Sequence, residues 1–267
     1  MNRLHAMRGG FHNWFLPSLL GYFAILLGER APRLLGPLLN LRFKLRTRRG
    51  PVIRARLRDI GPPAEVFGLD EYEDPELDWA GLRYVIDVGA HIGAFSLWVT
   101  ARSPECTVFA LEPNPEALGL LRENLERAGL GRRVHVLEAA LASRSGVRAL
   151  SITTMSPSAT LLPVHQFESA RPVAAITLPE AILMSGFPRV DLMKMDTEGA
   201  EKEIFGELRL DQLVAVRAIM VECHPPAAGD LADLIELVLT RGGFTVSRRP
   251  KKLHTLLIGR RQPAKQE

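Results

Sequence analysis

From residue 84 onward, short apolar runs alternate with amphipathic segments along this 267-residue chain. The apolar runs are rich in Val, Ile, Leu and Ala, which is typical of strands buried on both faces of a parallel sheet. The segments between them have helical spacing, and parallel strands need such crossover connections. The alternation therefore predicts an α/β fold with a mainly parallel sheet and helices on both of its faces.

Five parallel strands and four helices are expected in this part of the chain. The strands are predicted at 84–90, 107–113, 134–141, 190–196 and 215–223. The helices are predicted at 92–102, 115–128, 198–208 and 229–241. Residues 147–178 are less regular, with two strand-like runs around a Ser/Thr/Pro-rich loop at 153–160. Since no helix separates the last two runs, at 244–249 and 254–261, they are predicted to pair antiparallel at one edge of the sheet.

The α/β region is expected to be the largest of several parts. Residues 1–50 are predicted to form a basic, apolar, helical N-terminal extension. Residues 51–83 are predicted to be a lead-in that contains a strand and an acidic loop. The α/β domain then covers residues 84–260, and residues 261–267 form a tail.

The net charge of +4 is the sum of a basic N-terminal part, residues 1–58, and an acidic remainder, residues 59–267. Residues 1–58 carry twelve Lys and Arg against one Glu, whereas residues 59–267 carry 22 Lys and Arg against 29 Asp and Glu. The basic N-terminal part has few aromatic residues on which nucleic-acid bases could stack. The rest of the chain is acidic and would repel a phosphate backbone, so no nucleic-acid partner is predicted. Alternation at 52–58 predicts an exposed strand, and the acidic run at 70–78 predicts a solvated loop.

The N-terminal region leaves two alternatives open. The apolar stretch at 14–27 is too short to span a bilayer and is followed by no small-residue cleavage site. It would suit a basic helix lying in a membrane interface, or a helix packed on the body or on a second subunit of a homo-oligomer. Cys106 and Cys223 lie in apolar runs, so buried, reduced thiols are predicted. The expected location is the cytoplasm, with peripheral contact of residues 1–58 with the inner membrane face as an option.

The first two predicted strands end in residues that suit a nucleoside. Asp87 ends the first strand and precedes a turn with glycines at Gly89 and Gly93, which permit close approach of the backbone to a ligand. Glu112 ends the second strand, nineteen residues past Gly93, where an acidic residue binds the hydroxyls of a ribose. The pattern therefore predicts a nucleoside site at the carboxyl edge of the sheet.

The fourth and fifth strands deliver further polar residues to the same edge. Asp196 ends the buried fourth strand, and Glu198 and Glu201 lie in the first turn of the next helix. His224 directly follows the fifth strand. Asp196 is predicted to have a function, whereas Glu198 and Glu201 could also cap the helix. No spacing among these residues demands a metal, so no metal site is predicted.

Four motifs, DVGAHIG, LEPNP, KMDTEGAE and VECH, resemble in order and spacing those of the FkbM family of methyltransferases, over residues 84–224. The resemblance implies a Rossmann-like class I methyltransferase fold and S-adenosyl-L-methionine as methyl donor. Two positions depart from the family pattern. His91 stands where an asparagine is usual, and Thr177-Leu178-Pro179 stands where the family often has Thr-Leu-Asp, which leaves Glu180 as a stand-in carboxylate.

The resemblance also implies roles for individual residues. The donor-binding residues are expected to be Asp87, Gly89, Ala90, His91, Gly93, Glu112, Pro113, Asn114, Ala140 and Asp196. An alcohol acceptor must lose a proton, and His224 is the first candidate for the base, with Asp196 and Glu198 as alternatives. The irregular segment 147–178 and the N-terminal region are expected to form the acceptor walls.

The function expected from these features is O-methyl transfer to a hydroxyl of a sugar, a glycolipid or a secondary metabolite. Two alternatives come from other classes. A nicotinamide-dependent oxidoreductase would use the glycine turn and Glu112 but not KMDTEGAE. A non-catalytic, nucleotide-binding protein associated with the membrane would use the basic N-terminal part but not the polar residues at the strand ends.

Overall fold

The structure is a computed structural model that describes residues 37–47, 50–152, 159–161, 169–224, 228–251 and 254–261. The apolar stretch at 14–27 and most of the Ser/Thr/Pro-rich loop lie outside the described residues. No helix in the described ranges combines the length and the apolar character needed to cross a bilayer. Both cysteines are buried and unpaired, as predicted.

A β-hairpin and a short helix precede the α/β domain. Strand β1 (Arg42–Arg46) pairs antiparallel with β2 (Val52–Arg56), and helix α1 (Gly61–Gly68) follows. The strand predicted at 52–58 is therefore present, although the expectation that it is exposed is wrong. Ile53 and Ala55 are fully buried.

Asn124 explains why β2 is packed against the body rather than exposed. The backbone N–H of Arg54 donates to Asn124 Oδ1 at 2.7 Å, and Asn124 Nδ2 donates back to the Arg54 carbonyl at 3.0 Å. The alternating apolar residues of β2 face the body, so the predicted alternation is correct and only its solvent exposure differs.

The α/β domain follows the predicted alternation of strands and helices. Its first part contains β3 (Tyr84–Val88), α2 (Ala94–Arg102), β4 (Thr107–Leu111), α3 (Pro115–Arg127) and β5 (Val134–Leu137). Its middle part contains β6 (Ala140–Leu141), β7 (Gly146–Ile152), β8 (Ala159–Thr160), β9 (Ser169–Ile176) and α4 (Leu178–Ser185). Its last part contains β10 (Leu192–Met195), α5 (Glu201–Glu207), β11 (Ala218–Cys223), α6 (Ala228–Arg241), β12 (Thr245–Pro250) and β13 (Thr255–Arg260).

The main sheet confirms the α/β prediction. Within the described residues its order is β12-β13-β11-β10-β3-β4-β5, and the five strands from β11 to β5 are parallel. Strands β12 and β13 pair antiparallel at one edge, as the missing crossover helix predicted. Val85 of β3 belongs to one apolar cluster and its neighbour Ile86 to another, so the sheet is buried on both faces.

The irregular middle segment forms a second sheet and a helix that was not predicted. The order of this sheet among the described residues is β6-β9-β7-β8, in which the whole of β7 pairs antiparallel with residues 169–175 of β9. Helix α4 begins with a capping box in which Thr177 and Glu180 bond each other's backbone N–H groups. It ends at Gly186, whose φ is +68°. The signals for α4 were therefore present in the sequence.

The acidic run at 70–78 is packed against the antiparallel edge of the main sheet, so the prediction of a solvated loop is wrong. Tyr72 and Asp74 are 3% and 1% exposed. Asp74 accepts from Arg249 Nη2 at 3.0 Å and from Arg260 Nη1 at 2.6 Å. These arginines neutralise a carboxylate that burial would otherwise destabilise, and this makes the packing possible.

Candidate active site

The glycine turn (residues 89–93) lies where the ends of β3 and β10 come closest. Gly89 has φ +74° and Gly93 has φ +87°, which favour glycine. A Cβ added to Gly89 would lie 1.8 Å from the carbonyl oxygen of Asp196. The backbone of the turn and the residue that ends β10 are therefore in direct contact, and a side chain at position 89 would separate them.

Glu112 holds the glycine turn to the end of β4. Its Oε2 accepts from the His91 backbone N–H at 2.7 Å, and its Oε1 accepts from the Asn114 N–H at 2.8 Å. Asn114 in turn accepts from the N–H of Glu116 at 3.0 Å and caps α3. Burial raises the pKa of Glu112. Each carboxylate oxygen has two lone pairs, so both can still accept a further hydrogen bond.

A buried lysine links the first and fourth strands of the site. Lys194 Nζ donates to the carbonyl oxygen of Gly89 at 2.9 Å and lies 3.4 Å from Asp196 Oδ2 and 3.7 Å from Asp87 Oδ1. Burial lowers the pKa of Lys194, but the charges of Asp196 and Asp87 outweigh it and raise the pKa above its usual value. Asp87 Oδ2 accepts from Ser96 Oγ at 2.6 Å. Lys194 therefore remains a cation that positions the turn.

His224 lies among four carboxylates, and this set is named the His224 cluster. Its Nε2 is 3.8 Å from Asp196 Oδ1, 3.8 Å from Glu198 Oε2 and 3.6 Å from Glu222 Oε2. Its Nδ1 is 3.6 Å from Glu201 Oε1. The fold thus brings together the three predicted catalytic residues, Asp196, Glu198 and His224, at the ends of β10 and β11.

The charges in the His224 cluster shift its pKa values strongly. Burial lowers the pKa of His224, but Glu201, Asp196 and Glu198 raise it to about 10. Burial and the charge of Asp196 raise the pKa of Glu222 to about 8. Burial also raises the pKa of Asp196, but Lys194 and His224 lower it below its usual value. At neutral pH His224 is therefore an imidazolium and Asp196 a carboxylate.

Glu201 and Glu198 have different roles, although the sequence suggested a helix-capping role for both. Glu201 is fully buried and accepts from the backbone N–H groups of Thr197 at 3.0 Å and Gly199 at 2.8 Å. It therefore shapes the loop before α5. Glu198 has φ +53°, an uncommon conformation for a residue with a side chain. Its carboxylate is one-third exposed beside His224, where an acceptor could reach it.

Three residues that the sequence reasoning did not select also reach this cluster. The Tyr72 hydroxyl donates to Glu222 Oε1, and His254 Nε2 lies 3.6 Å from Glu222 Oε2. Glu71 Oε1 lies 3.3 Å from the same nitrogen of His254. An aromatic residue inside an acidic run was the available signal for Tyr72. His254, at the start of a predicted strand, had no distinguishing signal.

Two overlapping groups of side chains have the ligand types of a divalent-cation site. Their ligand atoms lie within 4.8 Å of one another; the groups are Glu222, His224 and His254, and Asp196, Glu198 and His224. Imidazole and carboxylate ligands suit several divalent cations, whereas the same atoms can also exchange a proton with a substrate. Removal of divalent cations therefore distinguishes between these two uses of His224.

The other predicted site residues lie in the glycine turn, in β6 and next to the caps of α3 and α4. The Ala90 backbone N–H donates to the carbonyl of Leu111 at 2.9 Å within the glycine turn. Ala140 is buried in β6, which pairs with β9 of the second sheet rather than continuing β5. Glu180 accepts from Thr177 at 2.7 Å in the capping box of α4, so its contacts are those of a capping residue. Pro113 separates Glu112 from the α3 cap.

Comparisons with known proteins bear on the family and the fold. A family profile for the methyltransferase FkbM domain matches residues 87–246. Hexuronic acid methyltransferase AglP of Haloferax volcanii is 28% identical over 211 residues, covering 78% of this chain and 80% of that protein. The 31-O-demethyl-FK506 methyltransferase FkbM of Streptomyces tacrolimicus is 28% identical over 196 residues, covering 61% of this chain and 72% of that protein.

A solved structure gives the same picture of the fold. The methyltransferase FkbM of Methylobacillus flagellatus KT superposes with a TM-score of 0.53 and 15% sequence identity. The superposition covers 91% of this chain and 54% of that one. At this level of identity the likeness concerns the fold alone.

Proposed function

The chain belongs to the FkbM methyltransferase family, and on this basis we propose that it transfers the methyl group of S-adenosyl-L-methionine to a hydroxyl of a sugar, glycolipid or secondary metabolite. One observation carries the proposal. The glycine turn held by Glu112 and the polar cluster around His224 lie at the carboxyl ends of neighbouring strands, where α/β sheets bind ligands. A donor pocket and a proton acceptor would therefore be adjacent.

The residues present fit the proposed donor. Gly89 and Gly93 have positive φ and no side chain, and they shape the backbone of the turn that would hold the methionine end. Asp87 Oδ1 and Asp196 Oδ1 are buried acceptors without a hydrogen-bond partner among the described residues, which suits a donor amino group. Glu112 would bind the ribose hydroxyls. When bound, S-adenosyl-L-methionine supplies a methyl group on a sulfonium, already activated for displacement.

The protein's own task is then to orient the acceptor and remove its proton. We assign the base role to His224, whose side chain is 17% exposed and therefore accessible to an acceptor. The imidazole must be neutral to act as a base, and Asp196 and Glu198 oppose this by stabilising the imidazolium. Positive charge brought beside these carboxylates lowers the pKa of His224 and makes the base available.

The donor assignment predicts selective binding that depends on Glu112. In isothermal titration calorimetry, S-adenosyl-L-methionine is expected to bind and NAD is not. Glu112→Gln should weaken binding by about tenfold or more, because a hydrogen bond to a charged group contributes about 1.5–3 kcal/mol. Glu138→Gln is the matched control, since Glu138 is half-exposed and contacts Arg122 on the surface.

Three other results of the calorimetry would contradict the donor assignment in different ways. Binding of NAD instead of S-adenosyl-L-methionine would favour the oxidoreductase alternative. Binding of neither would contradict both enzyme assignments and favour a non-catalytic role. An equal loss in Glu138→Gln would remove the ribose assignment of Glu112.

The sugar option for the acceptor is supported by one relative. The name of AglP specifies a hexuronic acid as the substrate of that protein, and the alignment covers most of both chains. A screen with labelled donor against sugars, glycolipids and polyketide extracts tests the acceptor class. Labelling of none of these hydroxyl compounds would contradict O-methyl transfer.

We further propose that the basic N-terminal region brings the enzyme to an anionic membrane surface. Alternate residues of a strand share a face, and Arg42, Lys44 and Arg46 of β1 are all exposed. Basic residues near an anionic membrane surface contribute about 1 kcal/mol each to binding.

Vesicle flotation tests the membrane proposal. The full chain is expected to float with phosphatidylglycerol-containing vesicles and not with pure phosphatidylcholine vesicles. Replacing Arg42, Lys44 and Arg46 by serine should reduce flotation by about tenfold or more. The matched control replaces three other exposed arginines, Arg132, Arg144 and Arg241, by serine. Equal flotation of the two triple variants would contradict a specific role for β1.

A further inference from the structure

The strand and turn at 52–59 lie outside the segment matched by the family profile, yet they contact the glycine turn. Asp59 follows β2 and is fully buried. Its Oδ1 lies 3.3 Å from Nε2 of His91, the central residue of the glycine turn. Asn124 adds a second link, because its Nδ2 donates to the carbonyl of Ile92 at 2.9 Å as well as to Arg54. The lead-in therefore packs against the glycine turn and supports it through these two contacts.

His91 needs such support because of its backbone conformation. Its φ is +51°, which is uncommon for a residue with a side chain and is disfavoured by contacts of the Cβ with the backbone. Two contacts hold it there. The backbone N–H donates to Glu112, and the ring lies against Asp59. The first contact would be possible for any residue at position 91, whereas the second requires a side chain that reaches Asp59.

Asp59 is itself held in one orientation by Arg56. The guanidinium donates from Nε to Oδ2 at 2.6 Å and from Nη2 to Oδ1 at 3.0 Å. Arg56 Nη1 also donates to Glu116 at 2.9 Å, which ties the pair to the first turn of α3. Burial raises the pKa of Asp59, but His91 and Arg56 lower it below its usual range, so Asp59 is a carboxylate. A bidentate ion pair of this kind fixes direction as well as charge.

We propose that Asp59 is a positioning residue for the methyl donor, holding the His91 ring and through it the glycine turn in the conformation that binds the donor. The inference rests on the proposed function, since it assumes that the turn binds S-adenosyl-L-methionine. It adds a residue outside the matched family segment to the donor site. Residues 52–59 would then contribute to donor binding by holding the glycine turn in place.

The test is a double-mutant cycle between Asp59 and His91, read out as the Kd for S-adenosyl-L-methionine. Asp59→Asn should raise the Kd by about tenfold, within the range of couplings between contacting residues. Asparagine adopts positive φ readily but does not reach as far as a histidine ring. In the His91→Asn background, Asp59→Asn should therefore change the Kd by less than about twofold. The KM for the acceptor should stay within about twofold throughout.

A control separates positioning from general destabilisation. Asp191 is also a buried aspartate paired with arginines, and it accepts from the N–H groups of Arg83 and Tyr84 at the opposite end of β3. Asp191→Asn should lower the unfolding temperature but leave the donor Kd unchanged. If Asp59→Asn does not fold, Asp59→Glu keeps the charge, displaces the carboxylate by one methylene, and should also weaken donor binding.

The outcomes distinguish this inference from the proposed function. Wild-type protein that binds no S-adenosyl-L-methionine overturns both. Wild-type binding with an unchanged Kd in Asp59→Asn overturns the inference alone. The same is true if the Kd changes equally in the two His91 backgrounds, or if Asp191→Asn has the same effect.

Discussion

Replacing His224 with alanine is expected to lower kcat by roughly 10²–10⁴-fold, the usual contribution of a general base. The Kd for S-adenosyl-L-methionine should change by less than about threefold, because the proposed donor contacts are made by the glycine turn, Glu112, Asp87 and Asp196 and not by His224. Steady-state kinetics and calorimetry measure the two quantities. His135→Ala is the matched control, since His135 is exposed on β5 and should be dispensable. Unchanged turnover in His224→Ala would reject the base assignment.

The pH dependence of turnover checks the same assignment independently. The Glu201, Asp196 and Glu198 carboxylates raise the pKa of His224 to about 10, so the neutral imidazole is a minor species at pH 7. The rate should therefore rise with pH, by up to about tenfold per unit below the working pKa. A rate that is flat above pH 7 would favour Glu198 or Asp196 as the base. If EDTA abolishes turnover and Mn²⁺ restores it, His224 acts as a metal ligand instead.

Replacing Gly89 with alanine is expected to abolish donor binding and destabilise the fold. The new Cβ would lie 1.8 Å from the carbonyl oxygen of Asp196, which is backbone and cannot rotate away. The φ of +74° adds a penalty for any side chain. We expect a donor Kd raised by at least about 100-fold and a free energy of unfolding lowered by about 2–4 kcal/mol. Calorimetry and denaturant titration measure these effects.

Gly119→Ala provides the control for this substitution. Gly119 lies within α3, and a Cβ built there meets nothing within 4 Å. Alanine is more favourable than glycine inside a helix by roughly 0.5–1 kcal/mol, so this variant should be slightly more stable and bind the donor normally. Normal donor binding by Gly89→Ala would contradict the close approach of the turn to β10.

The residues proposed to bind the donor could be selected from the sequence because each lies close to the end of a predicted strand. Gly89, Gly93 and Glu112 follow buried strands directly, and strand ends at one edge of a parallel sheet are neighbours whatever the loops do. In the structure Glu112 accepts a hydrogen bond from the His91 N–H across that edge, which brings the two strand ends together. Asp196, Glu198 and His224 meet for the same reason.

The supporting contacts could not be predicted because they come from segments without a periodic pattern. Asp59 and Tyr72 lie in the lead-in and His254 in the terminal hairpin, and each reaches the site only through the packing of these segments on the sheet. Alternation suggested that the strand at 52–58 is exposed, and the acidic residues at 70–78 suggested a solvated loop. Ion pairs across the fold reverse that expectation, because a charge paired on two sides can be buried.

The sequence by itself determined the alternation of strands and helices and the family, and it predicted which edge of the sheet binds ligands, because these depend on local periodicity and on short motifs. The tertiary structure decided which charges are buried, which carboxylates surround His224, and that the lead-in supports the glycine turn. These properties depend on distances between residues far apart in the chain: Asp59 and His91 are 32 positions apart, and Tyr72 and Glu222 are 150 apart. No local pattern encodes such distances.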